Sequence, residues 1–195
     1  MKDLSRAGVL AHHLVRGGRV HPPYTAYNPA MATSNPLDIL LAHDRWATRQ
    51  ILEVCAPLTE EQFHKRFEMG PGSLHDTLTH MFAAMQAWTQ ILAHQEPKPR
   101  IDQDRKKRTV AELTEIHESS ASELAGEVRR LPLDQMVSRT REGKTYQFTR
   151  GAVLTHVTTH SMHHRAQCLN MLRHVGVKTL PPSSVAEWTR LADAP

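Results

Sequence analysis

Proline placement outlines what this chain can fold into. Between Asn35 and Pro182 prolines fall only at positions 36, 57, 71, 97, 99, 132, 181 and 182, leaving long proline-free stretches. A proline in a helix interior removes a hydrogen bond and clashes with the preceding turn, at a cost of about 3 kcal/mol. The long intervals between prolines are therefore where helices fit. The first runs from Asn35, a favourable N-cap followed by Pro36, to the residue before Pro57, with Leu37, Leu40, Leu41, Asp44 and Ile51 at helical spacing. The second starts at Ser73, with Asp76 three residues on, and continues to about His94 through Leu74, Leu78, Met81, Met85, Trp88 and Leu92.

Thr109 with Glu112 forms a capping box that opens a third helix carrying Val110, Leu113, Ile116, Leu124 and Val128, which must stop before Pro132. Residues 134–148 break the helical pattern, and Arg141, Glu142, Gly143 and Lys144 form a turn signal for a short β-hairpin. Thr149 then caps a fourth helix that ends at Gly176, a C′ glycine. This pattern predicts an all-α fold, a four-helix bundle with a short hairpin between helices three and four. Residues 34–195 form the predicted domain, its last stretch packing back through Val185, Trp188 and Leu191. Residues 1–33, punctuated by Gly17, Gly18, Pro22, Pro23 and Pro29, read as an irregular N-terminal extension. Their one apolar patch is interrupted by His12 and His13, unlike a signal peptide.

Composition narrows the class. Hydrophobic residues make up 39% and charged residues 23%, and no run approaches the roughly 20 apolar residues of a membrane span. The net charge of +4 is concentrated at the start, where Lys2, Arg6, Arg16 and Arg19 against Asp3 give four minus one, or +3. Cys55 and Cys168 form neither a disulfide framework nor a CxxC pair, which suits a reducing cytoplasm.

The chemistry lies in the fourth helix, which holds His156, His160, His163, His164 and His174 among the chain's 14 histidines. At about 100° per residue, the first four and Gln167 share one sector, with Val153, Val157 and Met171 in or beside it. Burying imidazoles is costly unless each ring nitrogen finds a partner, and one metal ion can satisfy several at once. Side chains at i and i+4 are about 5–6 Å apart, so two imidazoles can converge on one ion at about 2.0–2.1 Å. His160 and His164 have this spacing, as do His156 and His160.

A third ligand must come from another helix. His80 is the first choice because it shares a face with Ala84 and Trp88, and His43 is the second. His75 lies outside that sector, while His64, His94 and His117 are expected to meet solvent. The opposing interpretation is a hydrogen-bonded core histidine, which fits a solitary His80 better than it fits the clustered histidines. His163 points sideways and could hydrogen-bond behind a ligand. No Glu follows His160 to make HExxH, and no Asp or Glu occurs between Glu142 and Glu187, so a carboxylate partner must come from elsewhere, with Asp44 and Asp76 as candidates. The Glu61 to His64 pair does not supply a di-iron carboxylate motif.

Three segments resemble the DinB family of bacterial four-helix bundles: Leu41 to Ala47 (LAHDRWA), Ser73 to His80 (SLHDTLTH) and Leu154 to Gln167 (LTHVTTHSMHHRAQ). The last is the specific one, and Ala166 departs from the glycine often found after the arginine. The resemblance spans about residues 35–192 and implies a divalent metal (Ni, Zn, Fe or Mn) held by His80, His160 and His164. It also implies a homodimer, and a repertoire that includes transferases and isomerases using low-molecular-weight thiols such as mycothiol or bacillithiol.

Three functions compete. One is a metal-dependent thiol transferase or hydrolase acting on a small molecule, with open metal positions lowering the pKa of water or thiol. Another is a non-enzymatic metal-binding stress-response protein. The third, nucleic-acid binding, is prompted by Arg105, Lys106, Lys107 and Arg108, but a solvated loop beside Asp102 and Asp104 explains that run equally well. Cys168, one turn beyond His164, reads as a buried small hydrophobe rather than a reactive thiol.

Overall fold

A computed structural model of the chain describes residues 35–192; the N-terminal extension expected at 1–33 lies outside them. Four long helices form a bundle: α1 (Pro36–Cys55), α3 (Leu74–Leu92), α4 (Val110–Arg130) and α5 (Arg150–His174). Two short helices join them, α2 (Glu60–His64) and α6 (Val185–Ala192), and strands β1 (Met136–Arg141) and β2 (Lys144–Thr149) pair between α4 and α5.

Each long helix begins where a side-chain oxygen caps it. Asn35 accepts from the Leu37 amide, Ser73 from Asp76, Thr109 from Glu112 and Thr149 from Ala152. These bonds satisfy amide donors that have no partner inside the helix. At the far end of α5, Gly176 takes φ +96°, and the Val177 amide returns to the Leu172 carbonyl, closing the helix in the Schellman manner. The hairpin is antiparallel with Arg141 opposite Lys144, so Glu142 and Gly143 form a two-residue turn, both at positive φ. Val137 inserts into the core and Phe148 packs edge-on to Trp88, fastening the hairpin to the bundle.

Helix α3 neighbours α4 and α5, and α1 neighbours the same two, so α1 and α3 face each other across the bundle. The core divides into two apolar clusters. One gathers Ile51, Leu52, Leu78, Phe82, Leu113 and Met171, and the other Leu41, Met85, Leu124, Val128, Val153 and Val157. Between them, at mid-height, lies a buried polar belt containing Asp44, Thr48, His117, Ser120, Ser161 and Arg165. Its centre is an ion pair from Arg165 to Asp44, with Arg165 also donating to the Thr48 hydroxyl at 3.2 Å. Burial pushes the Asp44 carboxyl up, opposed by the adjacent guanidinium and the Ser161 hydrogen bond.

Several expectations need correction. The sequence pattern assigns no helix between α1 and α3, but Thr59 and Gln62 make a capping box that supports one helical turn, α2. Of the three α6 residues expected to pack back, Trp188 is buried, whereas Val185 and Leu191 remain exposed. His117, expected in solvent, is wholly buried against Phe82, and His64 is half-buried against His75. Arg108 is not part of a solvated basic run: it is buried and donates to the Ile101 and Lys106 carbonyls and to Asp104. Among the described residues, no helix is long and apolar enough to cross a membrane.

Candidate metal centre

At the height of the polar belt, α5 turns His160 and His164 toward α3, where His80 meets them. The i, i+4 spacing places the two α5 rings 4.4 Å apart between centroids, and His80 lies 5.3 Å from His160 and 4.9 Å from His164. One ligand atom from each of the three falls within 4.8 Å of the others. His80 and His160 are half-buried and His164 is buried, so the cluster opens to solvent on one side.

Hydrogen bonds behind the rings set the nitrogen atoms that face inward. His164 Nδ1 lies 2.8 Å from the Gln167 amide oxygen, which can only accept, so Nδ1–H donates and Nε2 keeps its lone pair. His80 Nδ1 likewise donates to Asp102 Oδ2 at 3.0 Å, leaving its own Nε2 free. The Nε2 atoms of His160 and His164 are 3.1 Å apart. Two nitrogens bound to one ion at about 2.0–2.1 Å, at angles between octahedral and tetrahedral, stand about 2.8–3.4 Å from each other. The pair therefore has the spacing of two ligands on one ion, and the neutral-imidazole donor set suits nickel, zinc and iron, whereas manganese favours oxygen ligands.

The electrostatics favour neutral rings. Burial lowers the His160 pKa to about 4, reinforced by His164 and His80, and burial also lowers that of His164 against the opposing Gln167 hydrogen bond. Neither ring needs to lose a proton near neutral pH before binding a cation.

The flanking groups form two walls. On one side His156 lies 5.6 Å from His160 and edge-on to Trp88 at 4.9 Å, and the Arg139 guanidinium lies 5.1 Å from the Trp88 ring centroid. On the other, Gln167 donates to His163 Nε2 at 3.0 Å, so His163 stands behind a ligand as its spacing suggested. Gly70 has φ +50°, and a Cβ there would fall 2.2 Å from Gln167 Oε1, so the chain before α3 passes close to this side chain.

The alternative ligands do not join the cluster. His156 is exposed and stacks beside it, and His43 accepts no such role because its Nε2 pairs with the Ser183 carbonyl at 2.9 Å. His75 bonds Asp76 through Nδ1 and accepts the Arg108 amide through Nε2. Neither carboxylate candidate reaches the site: Asp44 pairs with Arg165, and Asp76 with Arg66 and His75. The carboxylate that does reach it is Asp102, in the loop between α3 and α4. Arg100 grips both its oxygens, at 2.9 and 2.6 Å. Burial opposes ionisation of Asp102, but the Arg100 and His80 hydrogen bonds and charges hold it below the usual carboxylate range. Its only sequence signal was an acidic residue amid the basic loop. Cys168 is fully buried in the core and its thiol is pushed well up by burial, so it behaves as a small apolar residue.

No curated protein matches the chain in sequence. A family model does: that of the DinB family, over residues 31–188, which includes all three clustered histidines. A helical bundle with its histidine cluster between α3 and α5, matched over most of its length, establishes that the chain belongs to the DinB family.

Proposed function

We propose that the chain holds a divalent cation on His80, His160 and His164 and uses it as a metal-dependent thiol transferase or hydrolase acting on a small molecule. The observation that carries this reading is the convergence of three imidazoles, two with their Nδ1 protons engaged behind the ring so that Nε2 lone pairs face the cluster. Three protein ligands leave coordination positions open, and a divalent cation there would supply Lewis acidity and lower the pKa of a water or thiol. The protein's part is to orient: His80, His160 and His164 define one reacting point, and Trp88 and His156 border its approach. Among the described residues no carboxylate joins the cluster, so we assign proton acceptance from a nucleophile to His156, exposed beside it, while His163 has its Nε2 engaged by the Gln167 amide.

The test is metal analysis of the purified protein and of its His80→Ala, His160→Ala and His164→Ala variants, followed by turnover assays with bacillithiol or mycothiol and soft electrophiles. Bound metal in the parent and its loss from the variants supports the site, whereas unchanged metal in all three removes it. A loaded protein that raises its melting temperature but turns over neither thiol nor ester would favour a non-enzymatic stress-response role. The engagement of Asp102 by Arg100, leaving no free carboxylate base, supports that second reading. We extend the proposal to a homodimer on the family resemblance, for which light scattering should give twice the chain mass.

A further inference from the structure

The three candidate ligands are not held alike. His160 and His164 stand one turn apart on α5, so the helix itself makes them converge. His80 is alone on α3 and its side chain is about one-third exposed. Rotation of such a ring by half a turn about Cβ–Cγ would put Cδ2 in the place of Nδ1 and Cε1 in the place of Nε2, and the neutral ring has two tautomers. Only one combination of ring orientation and tautomer presents a lone pair on Nε2 to the α5 histidines.

We propose that Asp102, clamped by Arg100, is the positioning residue that fixes His80 in the ring orientation and tautomer that bind metal. The proposal rests on the metal site itself and assigns to the α3–α4 loop a part in building it. Asp102 can accept the proton of Nδ1 but cannot donate one, so its 3.0 Å contact selects the Nδ1–H form. Arg100 reaches forward two residues to hold Oδ1 through Nε and Oδ2 through its terminal nitrogen, a two-point grip that stops the carboxylate from turning away. The loop is fixed in its turn by buried Arg108, which donates to the Ile101 carbonyl at 3.0 Å, next to Asp102. The connection between helices thus carries an anion to the back of one ligand, strengthening it as a donor. By contrast, His164 has an uncharged amide behind it. Partners of this kind, one shell behind a ligand, typically change metal affinity by about 10- to 100-fold.

The experiment uses the full chain, stripped of metal and then titrated with Co²⁺ in competition with a chelator, for the parent, Asp102→Asn, Arg100→Gln, His164→Ala and, as a control in the same loop, Glu96→Gln. Asp102→Asn keeps the side-chain shape but removes the charge and can offer an amide donor. It should bind Co²⁺ about 10- to 100-fold more weakly, Arg100→Gln should also weaken binding, and Glu96→Gln should match the parent. A second readout needs no metal: long-range ¹H–¹⁵N spectra of the imidazoles should show His80 as the Nδ1–H tautomer in the parent and a mixture of both tautomers in Asp102→Asn, whose amide can present either its oxygen or its NH2 to the ring. Parent-like affinity in Asp102→Asn together with loss in His164→Ala overturns the role of Asp102 and leaves the metal site standing. An Nε2–H tautomer at His80 in the parent overturns it independently of any metal. If the parent and His164→Ala bind Co²⁺ equally weakly, the site reading fails and the positioning role falls with it.

Discussion

His117 gives a quantitative handle on the polar belt of this bundle. It is wholly buried on α4 and lies 5.2 Å from the Phe82 ring, and neither ring nitrogen finds a hydrogen-bond partner. The Glu118 carboxylate is 3.7 Å from Nδ1, beyond hydrogen-bonding reach, and is engaged by Arg45 and Arg49. Burial lowers the His117 pKa from 6.5 to about 4; Glu118 opposes this shift, while Arg49, Arg45 and Arg165 add to it. Between those two values the unfolded chain binds a proton that the native protein does not. Native stability is therefore intact above 6.5 and falls as the pH drops toward 4. At 1.36 kcal/mol per pKa unit the ceiling is about 3 kcal/mol, of which about 2 kcal/mol is reached near pH 5. His117→Leu removes the titration and the two unpaired nitrogens while keeping apolar volume. The assay is urea unfolding of metal-free protein in EDTA at about pH 7.5 and 5, for parent and variant. The parent should lose about 2 kcal/mol more than the variant between the two conditions. The variant should be more stable near neutral pH by about 1 kcal/mol. Equal losses in both proteins would refute the assignment, since the remaining histidines titrate in both.

Further perturbations probe the same architecture. Arg165→Met leaves Asp44 as an uncompensated buried charge and should cost about 3–5 kcal/mol in urea unfolding, most of it recovered in the Asp44→Leu, Arg165→Met double variant. Gly70→Ala meets a positive φ and a collision with Gln167, so it should destabilise by about 1 kcal/mol and also weaken Co²⁺ binding by displacing Gln167 from His164. Thr109→Ala removes the α4 capping box and should lower stability by about 1 kcal/mol without altering metal affinity.

The helical frame was legible because its limits are chemical. Asn35, Ser73, Thr109 and Thr149 act at helix starts through their own side-chain oxygens, so sequence identifies them locally. The same signal at Thr59 and Gln62 was overlooked because the helix it opens has five residues, too few for a periodic pattern. Burial was harder to assign. His117 follows Leu113 by one turn and precedes Ala121 and Leu124 on the same stripe, all buried, yet its polar type argued for solvent. The stripe decided, because a helix facing three neighbours has little latitude to turn one residue outward.

For the site, spacing identified His160 and His164 and helical face identified His80, since both follow from backbone geometry. What spacing cannot give is which nitrogen of an imidazole faces the centre. That depends on the group behind the ring, and at His80 the group comes from 22 residues along the chain, in a loop without periodicity. His75 shows the difference on the same helix. It too has a carboxylate at Nδ1, but its Nε2 accepts the Arg108 amide, so both nitrogens are satisfied within the protein and it serves as a structural fastening for the loop. His80 has the same support on one side and an open, ligand-facing nitrogen on the other. The contrast makes Arg108 and Asp102 two ends of one device: the loop fastens to α3 where Arg108 meets His75 and, six residues earlier at Asp102, supports the histidine that meets α5.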